Sequence, residues 1–258
     1  MSLQRWKLLI EYDGRPYCGW QRQEDGIPSV QQKIEDALFK FCQQDCRLHV
    51  AGRTDAGVHA EGQVAHFDLD YGERALDGYT IVKALNAHLQ PEPIAILDAA
   101  PVSEEFHARF SAIHKLYIYR VLNRIGPPTV QRGRVWHVWG DLDVDAMRVA
   151  AQHLLGHHDF STFRAAECQA KSPMRSLDRL DIIAHPHIHG GQSLDFMVEA
   201  RSFLHHQVRN MVGTLMLVGQ GRWKPDDVRE ALEAADRRRG GPTAPPDGLS
   251  LCRIDYPA

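Results

Sequence analysis

A strand, helix, strand order of similar pattern occurs twice along this sequence of 258 residues. In the first half, residues 5–12 predict a strand, and apolar residues recur at helical spacing from Val30, just after Ser29, a favoured N-cap. In the second half, residues 114–120 repeat the strand pattern and residues 144–155 are again amphipathic. Further predicted elements are strands at 48–51, 64–69, 177–184, 195–203 and 249–254 and helices at 80–89 and 208–218.

Two halves of this kind predict an α+β fold. Each half is expected to be ferredoxin-like or RRM-like, with the antiparallel sheets joined side by side across a central basic cleft. A cleft at such a junction is a natural ligand site. We expect domains at residues 1–103 and 104–258, with the linker near residues 91–103 and a loop at residues 237–246.

The charged residues are unevenly distributed, although the net charge of −3 does not by itself indicate a nucleic-acid partner. Residues 107–134 and residues 201–224 each carry several basic residues and no acidic one. Such sorting is compatible with a basic face that binds RNA. It is equally compatible with solvated faces that have no functional meaning.

Cysteine usage and hydropathy limit the compartment. The five cysteines are scattered and form no CxxC pair, so we interpret them as free thiols and not as a disulfide framework or a zinc knuckle. No apolar run approaches the roughly 20 residues that a membrane span requires. We therefore expect a cytoplasmic protein that contacts no membrane.

The first stretch that could carry chemistry is GRTDAGVH at residues 52–59, directly after a predicted strand. Glycines on both sides of Asp55 allow the backbone to turn sharply and to display the carboxylate. On pattern alone, an aspartate that merely caps a turn explains the same residues.

Two side chains of the second half could act together with a displayed aspartate. Arg209 lies in the first turn of a predicted helix, where the helix dipole disfavours a cation, so an anionic partner such as Asp55 would keep both groups charged. Tyr117 and Tyr119 share one face of a predicted strand, and a tyrosine can stack on a flipped base. An arginine that reaches solvent or a phosphate, and tyrosines that only pack, remain open alternatives.

Histidine and cysteine residues suggest two alternative kinds of site, a metal site and a thiol nucleophile. His185, His187 and His189 alternate on a predicted strand that ends in an exposed hairpin, and His205 adjoins His206, which together could form a metal site of a hydrolase. No HExxH or paired carboxylate motif accompanies them, so we expect no metal. Cys168 could be a nucleophile, but its neighbours offer no base.

Several words of the sequence, in this order and spacing, resemble the tRNA pseudouridine synthase A family. They are YDG at 12–14, GWQRQ at 19–23, GRTDAGVHA at 52–60 and VRNMVG at 208–213. The likeness continues through FHARF at 106–110, FSTFRA at 160–165, CQAKSP at 168–173 and APPDGL at 244–249. Each word alone is weak, but their collinear occurrence over nearly the whole chain is a strong signal.

The resemblance implies a homodimer without a cofactor that modifies uridines 38, 39 and 40 in the anticodon arm of tRNA. It implies Asp55 as the catalytic residue, Tyr117 as a substrate contact and Arg209 as the basic partner of the aspartate. It further implies Arg53 in opening the target base and Leu249 in the wall of the base pocket. The other implied RNA contacts are Phe106, His107, Ala108, Arg109, Phe110, Arg164, Cys168, Gln169, Ala170, Lys171 and Ser172.

The reaction needs one ionised carboxylate and no metal. Asp55 could attack C1′ or the uracil ring as a nucleophile, or act as a base at the 2′ position, and the residues do not choose among these. A non-catalytic tRNA-binding or folding protein with the same basic words is the main alternative, and a metal hydrolase built on the histidines is the second.

Overall fold

The computed structural model describes residues 3–24, 26–72, 76–188 and 190–257. The chain forms two compact units. The first unit contains Met1–Ile113 and Leu251–Ala258, and the second contains His114–Ser250. No described helix has the length and apolar character needed to span a bilayer.

The first unit is an antiparallel sheet with two helices. Its strand order is β4-β1-β3-β11, and the short strand β2 also pairs with β3. The elements are β1 Leu3–Tyr12, α1 Val30–Cys42, β2 His49–Val50, β3 His59–Asp70, α2 Gly78–Leu89, β4 Ile94–Val102 and β11 Leu249–Asp255, of which residues 251–255 belong to this unit.

Helix α1 begins where the sequence predicts it. The Ser29 hydroxyl caps the helix by accepting the amide N–H of Gln32 at 3.3 Å. The apolar side of α1 is buried, including Val30, Ile34 and Leu38. The helical spacing of these residues in the sequence therefore corresponds to the face that the helix turns to the core.

Strand β4 corrects the predicted linker at residues 91–103. It pairs antiparallel with β1, for example Trp6 with Pro101, and it is the edge strand of the order given above. Proline cannot donate a backbone hydrogen bond, but an edge strand leaves one side unpaired and tolerates it. Because Pro91, Pro93 and Pro101 punctuate the stretch, its sequence resembles a linker although it forms a strand.

The second unit also has an antiparallel sheet, of order β5-β10-β9, with β6 parallel to β5 and a separate pair of β7 with β8. Helix α3 packs on α4, α5 and β9. The elements are β5 His114–Asn123, β6 Trp136–Val138, α3 Val144–Gln152, β7 Gly156–Asp159, β8 Met174–Leu177, β9 Arg179–Pro186, β10 Gln192–Ala200, α4 Gln207–Gly219 and α5 Pro225–Glu233.

Most predicted strands and helices are confirmed, but four elements of the described residues are not anticipated besides strand β4. They are helix α5 and strands β6, β7 and β8, of which β8 meets the predicted strand 177–184 only at Leu177. The predicted loop at 237–246 contains a short 3₁₀ helix, Arg237–Arg239. The fold is thus a mixture of α-helices and mostly antiparallel strands, as predicted.

The two compact units divide the chain differently from the predicted domains 1–103 and 104–258. Residues 104–113 pack with the first unit, where Arg5 Nη1 donates to the carbonyl of Phe106 at 2.9 Å. Residues 251–258 join the same unit, and the Tyr256 hydroxyl donates to the carbonyl of Ala108 at 2.7 Å. Long-range hydrogen bonds, which sequence spacing does not reveal, decide both assignments.

Candidate functional site

Asp55 lies in the turn that joins β2 to β3, as predicted. The backbone N–H of Val58 donates to the carbonyl of Asp55 at 3.1 Å, and Gly57 adopts a positive φ of 78°, which glycine accepts at little cost. Arg53 is exposed, Thr54 is buried and Asp55 is half-buried. The turn therefore leaves the Arg53 and Asp55 side chains partly open to solvent while Thr54 points into the core.

The segments YDG (residues 12–14) and GWQRQ (residues 19–23) pack against this turn. The N–H of Trp20 donates to the carbonyl of Thr54 at 3.1 Å. A Cβ at Gly14 would lie 2.0 Å from the carbonyl oxygen of Val58, and one at Gly19 would lie 2.7 Å from that of Thr54. Glycine is required at both places because the backbones approach too closely for any side chain.

Asp13 and His59 form hydrogen bonds that hold the YDG segment in place. The N–H of Gly14 donates to His59 Nδ1 at 3.2 Å, and Arg15 Nε donates to Asp13 Oδ1 at 3.0 Å. Burial opposes ionisation of Asp13, but the hydrogen bonds from Arg15 and the nearby His59 ring together hold the pKa of Asp13 below its usual value. Asp13 therefore acts here as an anchor for Arg15 and for the chain.

The FHARF stretch forms a turn of the first unit beside a group of rings. Ala108 is buried, and its N–H donates to His66 Nδ1 at 3.1 Å. His107 is half-buried, and its ring lies 4.4 Å from the ring of Phe110. Phe110 is 70% exposed, and the Arg109 guanidinium lies 5.8 Å from its ring centroid. An exposed aromatic ring beside an arginine is suited to contact RNA.

His49, His66 and His107 bring possible metal-binding nitrogens within 4.8 Å of one another. Their hydrogen bonds disfavour a metal. Nδ1 of His66 accepts the Ala108 N–H, and Nδ1 of His107 accepts the Arg109 N–H at 3.1 Å, so in the neutral rings the proton resides on Nε2. A metal-binding imidazole normally donates from its second nitrogen, and here that nitrogen accepts.

Tyr117 lies on β5 of the second unit and is buried, with 8% of its surface exposed. It pairs with Val198 of β10, and its ring makes an edge contact with Phe203 at a centroid distance of 5.2 Å. Tyr119 is fully buried and donates from its hydroxyl to the carbonyl of Pro245 at 2.8 Å. The two tyrosines therefore share one face of β5, as predicted, and this face packs against other parts of the second unit.

Arg209 is held in the first turn of α4. Its Nε donates to the carbonyl of Ala244 at 2.8 Å, and the N–H of Ala244 donates to the carbonyl of Arg209 at 3.1 Å. This pair of hydrogen bonds connects VRNMVG with APPDGL, two words that lie far apart in the sequence. Leu249, at the end of the second word, is buried where β11 begins.

The stretch with Arg164 and the CQAKS word forms an exposed loop of the second unit. Gln169, Lys171 and Ser172 are exposed, and Cys168 and Ala170 are half-buried. Arg164 Nη2 donates to the carbonyl of Cys168 at 3.2 Å. Arg175, which sequence reasoning missed, donates from Nη1 to the carbonyls of Ser172 at 3.1 Å and Met174 at 2.6 Å.

Of the alternating histidines, His185 and His187 do not share a strand face, contrary to the prediction. Strand β9 ends at Pro186, so His187 lies beyond it, and His189 lies outside the described residues. His187 Nε2 lies 2.7 Å from the Ser193 hydroxyl, and His185 Nε2 lies 3.4 Å from an Asp195 carboxylate oxygen. These contacts give both rings a role in the hairpin of β9 and β10, which is the exposed hairpin that the sequence predicts.

The structure thus gathers the predicted residues in two groups. Arg53, Asp55 and residues 106–110 belong to the first unit, and the other predicted residues belong to the second. Sequence reasoning also missed the buried polar groups behind Asp55, above all Tyr12 and Gln63. Tyr12 stands in the YDG word, which gives a signal, whereas Gln63 has none in the sequence.

Comparison with known protein families identifies the class of enzyme to which this chain belongs. Residues 8–111 and 150–257 match the family model described as tRNA pseudouridine synthase, and the chain belongs to this family. The family predicted from the collinear words is therefore confirmed.

Relatives named tRNA pseudouridine synthase A are similar to nearly the full chain. The protein from Rhodospirillum rubrum is 57% identical over 253 residues, which cover 98% of this chain and 88% of the relative. The protein from Paramagnetospirillum magneticum is 55% identical, covering 98% and 96%, and that from Caulobacter vibrioides is 54% identical, covering 98% of both chains.

Proposed function

We propose that this chain converts uridine to pseudouridine in tRNA and that Asp55 is the reacting carboxylate. The observation that carries this proposal is the Asp55 turn, which is fixed from both sides by backbone hydrogen bonds and close glycine contacts while Asp55 itself stays half-exposed. A reacting group needs this combination of fixed position and access. Membership of the family supports the reaction.

The reaction rearranges atoms that the substrate already contains. The N1–C1′ bond breaks, the uracil turns, a C5–C1′ bond forms, C5 loses a proton and N1 gains one. No electron or group enters, so neither a cofactor nor a metal is required. Asp55 can serve as nucleophile at C1′ or at the ring, or as a base at the 2′ position, and each role needs its ionised form.

The other residues receive roles around the detached base. Arg53, exposed two residues before Asp55, helps to extrude the uridine, and Tyr117 stacks on it. Leu249 contributes to the wall of the base pocket. Arg209 keeps Asp55 ionised. We further propose that the chain has two ferredoxin-like or RRM-like halves, the first carrying Asp55 and the second carrying Tyr117 and Arg209, which hold the tRNA in a basic cleft.

The proposed substrate is the anticodon arm, with uridines 38, 39 and 40 as targets, and the proposed compartment is the cytoplasm. Shape should define this substrate, because three adjacent sites cannot share one base context. Phosphate and base contacts come from the two RNA loops, residues 106–110 and 164–172. The enzyme is proposed to act as a homodimer, which light scattering during size-exclusion chromatography measures directly.

Replacing the carboxylate tests the central assignment. We expect Asp55→Asn to lower the single-turnover rate by about 10⁴-fold or more, as removal of a reacting group commonly does. The assay is tritium release from tRNA labelled at C5 of uridine, because the product has the same mass as the substrate. The exposed Asp36→Asn on α1 is the control and should keep full activity.

Substantial tritium release by Asp55→Asn would contradict the proposal. If the parent protein binds tRNA but releases no tritium from any tested tRNA, it is a binding protein. Primer extension after carbodiimide treatment of the product maps the modified positions, and stops outside positions 38–40 would overturn the proposed target.

The partnership of Arg209 with Asp55 has a separate test. Loss of the guanidinium removes the positive charge proposed to lie beside the carboxylate, so Arg209→Ala should lower the single-turnover rate by about 10-fold or more. Arg209→Lys keeps the charge and should lower the rate less. A parental rate in Arg209→Ala would refute the partnership.

A further inference from the structure

A chain of buried side-chain hydrogen bonds runs behind the Asp55 turn. The Tyr12 hydroxyl oxygen lies 2.8 Å from the Thr54 hydroxyl oxygen, and Gln63 Nε2 lies 3.4 Å from the Tyr12 hydroxyl oxygen. Gln63 Nε2 also donates to the carbonyl of Gly52 at 2.7 Å. The exposed surface is 3% for Tyr12, 7% for Thr54 and 0% for Gln63, so water competes little with these bonds.

The direction of this chain follows from the backbone around it. The side-chain oxygen of Gln63 accepts the N–H of Val64 at 3.2 Å, and its nitrogen donates to Gly52, so the amide can have only one orientation. Gln63 is therefore the donor toward Tyr12. Burial raises the pKa of Tyr12 to about 12, so its hydroxyl keeps its proton at neutral pH. The Tyr12 oxygen thus accepts from Gln63 and forms its second hydrogen bond with the Thr54 hydroxyl, in which either oxygen can donate.

These contacts fix the backbone on the N-terminal side of Asp55. Gln63 holds the carbonyl of Gly52, and Tyr12 holds the side chain of Thr54, the residue directly before Asp55. The N–H of Trp20 holds the carbonyl of Thr54 at 3.1 Å. Trp20 is buried and its ring lies 5.9 Å from that of Tyr12. The backbone directly before Asp55 is therefore held at three atoms: the carbonyl oxygen of Gly52, the hydroxyl of Thr54 and the carbonyl oxygen of Thr54.

We propose that Tyr12, Thr54 and Gln63 are positioning residues that set the direction of the Asp55 carboxylate through this hydrogen-bonded chain. The proposal rests on the proposed function, since it assumes that Asp55 reacts. None of the three side chains needs to touch the substrate. Misplacement of a reacting group by about 1 Å can cost about 100-fold in rate, so a fixed peptide before Asp55 has a large effect on catalysis.

The test separates the chemical step from binding and from stability. Tyr12→Phe and Thr54→Val each remove one hydroxyl with little change of shape, and Thr54→Ser keeps the hydroxyl. We expect the first two variants to lower the single-turnover rate by about 10-fold to 100-fold, with the Kd for tRNA within about 2-fold of the parent. Thr54→Ser should recover most of the rate.

Two further measurements exclude a merely structural effect. Asn86 bonds both backbone groups of Ile96 at 2.8 Å in the same unit, away from the Asp55 turn, so Asn86→Ala is the matched control: it should lower thermal stability and leave the single-turnover rate unchanged. Because Tyr12 and Thr54 act as one chain, the double variant Tyr12→Phe with Thr54→Val should be about as slow as the slower single variant.

The outcomes keep the inference distinct from the function on which it rests. If Asp55→Asn is inactive but Tyr12→Phe and Thr54→Val react at the parental rate, the positioning chain is refuted and the function stands. The chain is also refuted if Asn86→Ala slows the reaction as much as they do, or if the two single effects multiply. If Asp55→Asn is fully active, the proposed function itself fails.

Discussion

The Asp55 turn and the loop of residues 164–172 are both proposed to contact tRNA, but they are held in opposite ways. Residues 52–58 are fixed by buried neutral groups and by glycines without room for a side chain. The 164–172 loop is largely exposed, and two guanidinium groups hold its carbonyls: that of Arg164 within the loop and that of Arg175 on strand β8. One region depends on close packing and the other on long charged side chains.

This difference corresponds to two physical demands. A reacting carboxylate must stay within a fraction of an ångström of its productive position, which requires neighbours that cannot move. A contact with phosphate requires charge within reach and tolerates movement, since Coulomb attraction varies slowly with distance. We therefore expect changes in the residues that pack against the Asp55 turn to lower the rate of the chemical step. Changes in the 164–172 loop or in Arg175, which holds it, should weaken tRNA binding.

The largest effect is expected at Gly14. A methyl group there would meet the carbonyl oxygen of Val58 at 2.0 Å, so the turn or the YDG segment must move. We expect Gly14→Ala to lower the free energy of unfolding by about 2–4 kcal/mol and the single-turnover rate by about 100-fold or more. Urea unfolding and tritium release measure the two effects.

Gly126→Ala is the control for this variant, because the nearest atom to its added carbon is part of the Arg124 side chain at 4.0 Å. It should behave like the parent protein. A Gly14→Ala protein with parental stability and rate would contradict the proposed difference between the two regions. The segments that pack against the Asp55 turn would then be deformable.

The next largest effect is a loss of stability at low pH, caused by the buried neutral ring of His66 in the first unit. Burial, together with the neighbouring Arg5, lowers the pKa of His66 to about 4, so the folded protein keeps this ring neutral while the unfolded chain protonates it near pH 6.5. The unfolded state then binds more protons between about pH 6.5 and 4, and stability falls as the pH is lowered through this window. The loss from His66 is at most about 3 kcal/mol.

His66→Asn removes this titration and keeps an acceptor for the Ala108 N–H. Between pH 7 and pH 5 the parent should lose about 2 kcal/mol more of its free energy of unfolding than this variant does. Urea unfolding at the two pH values measures this difference. Asn86→Ala loses hydrogen bonds but no titrating ring, so its difference from the parent should be equal at both pH values. A constant difference for His66→Asn would mean that His66 titrates alike in the folded and the unfolded states, which would contradict the prediction.

The smallest effect is expected at Arg175, the β8 residue that holds the end of the 164–172 loop. Arg175→Ala frees the carbonyls of Ser172 and Met174, so we expect the Kd for tRNA to rise by about 5-fold to 10-fold while the single-turnover rate at saturation stays within about 2-fold. The exposed Arg229→Ala on α5 is the matched control. A loss confined to the rate of the chemical step would contradict the assignment of this loop to binding.

How much of this could be predicted from the sequence differs between elements. Helix α1 follows from Ser29 and the spacing of Val30, Ile34 and Leu38, because capping and periodicity are local. Strand β4 does not follow, because its prolines suggest a linker and only pairing with β1 makes it a strand. Strand propensity depends on neighbours that are distant in the sequence.

The sequence motifs suffice to identify the family and to single out Asp55 as the candidate reacting residue, because their order and spacing can be recognised without knowing the contacts. Only the folded chain shows which contacts these motifs make. Gly14 and Gly19 meet carbonyls of Val58 and Thr54, and Gln63 meets Tyr12 across 51 residues of chain. Close approach and buried hydrogen bonding are properties of atoms in space, and a list of residues contains neither until the chain is folded.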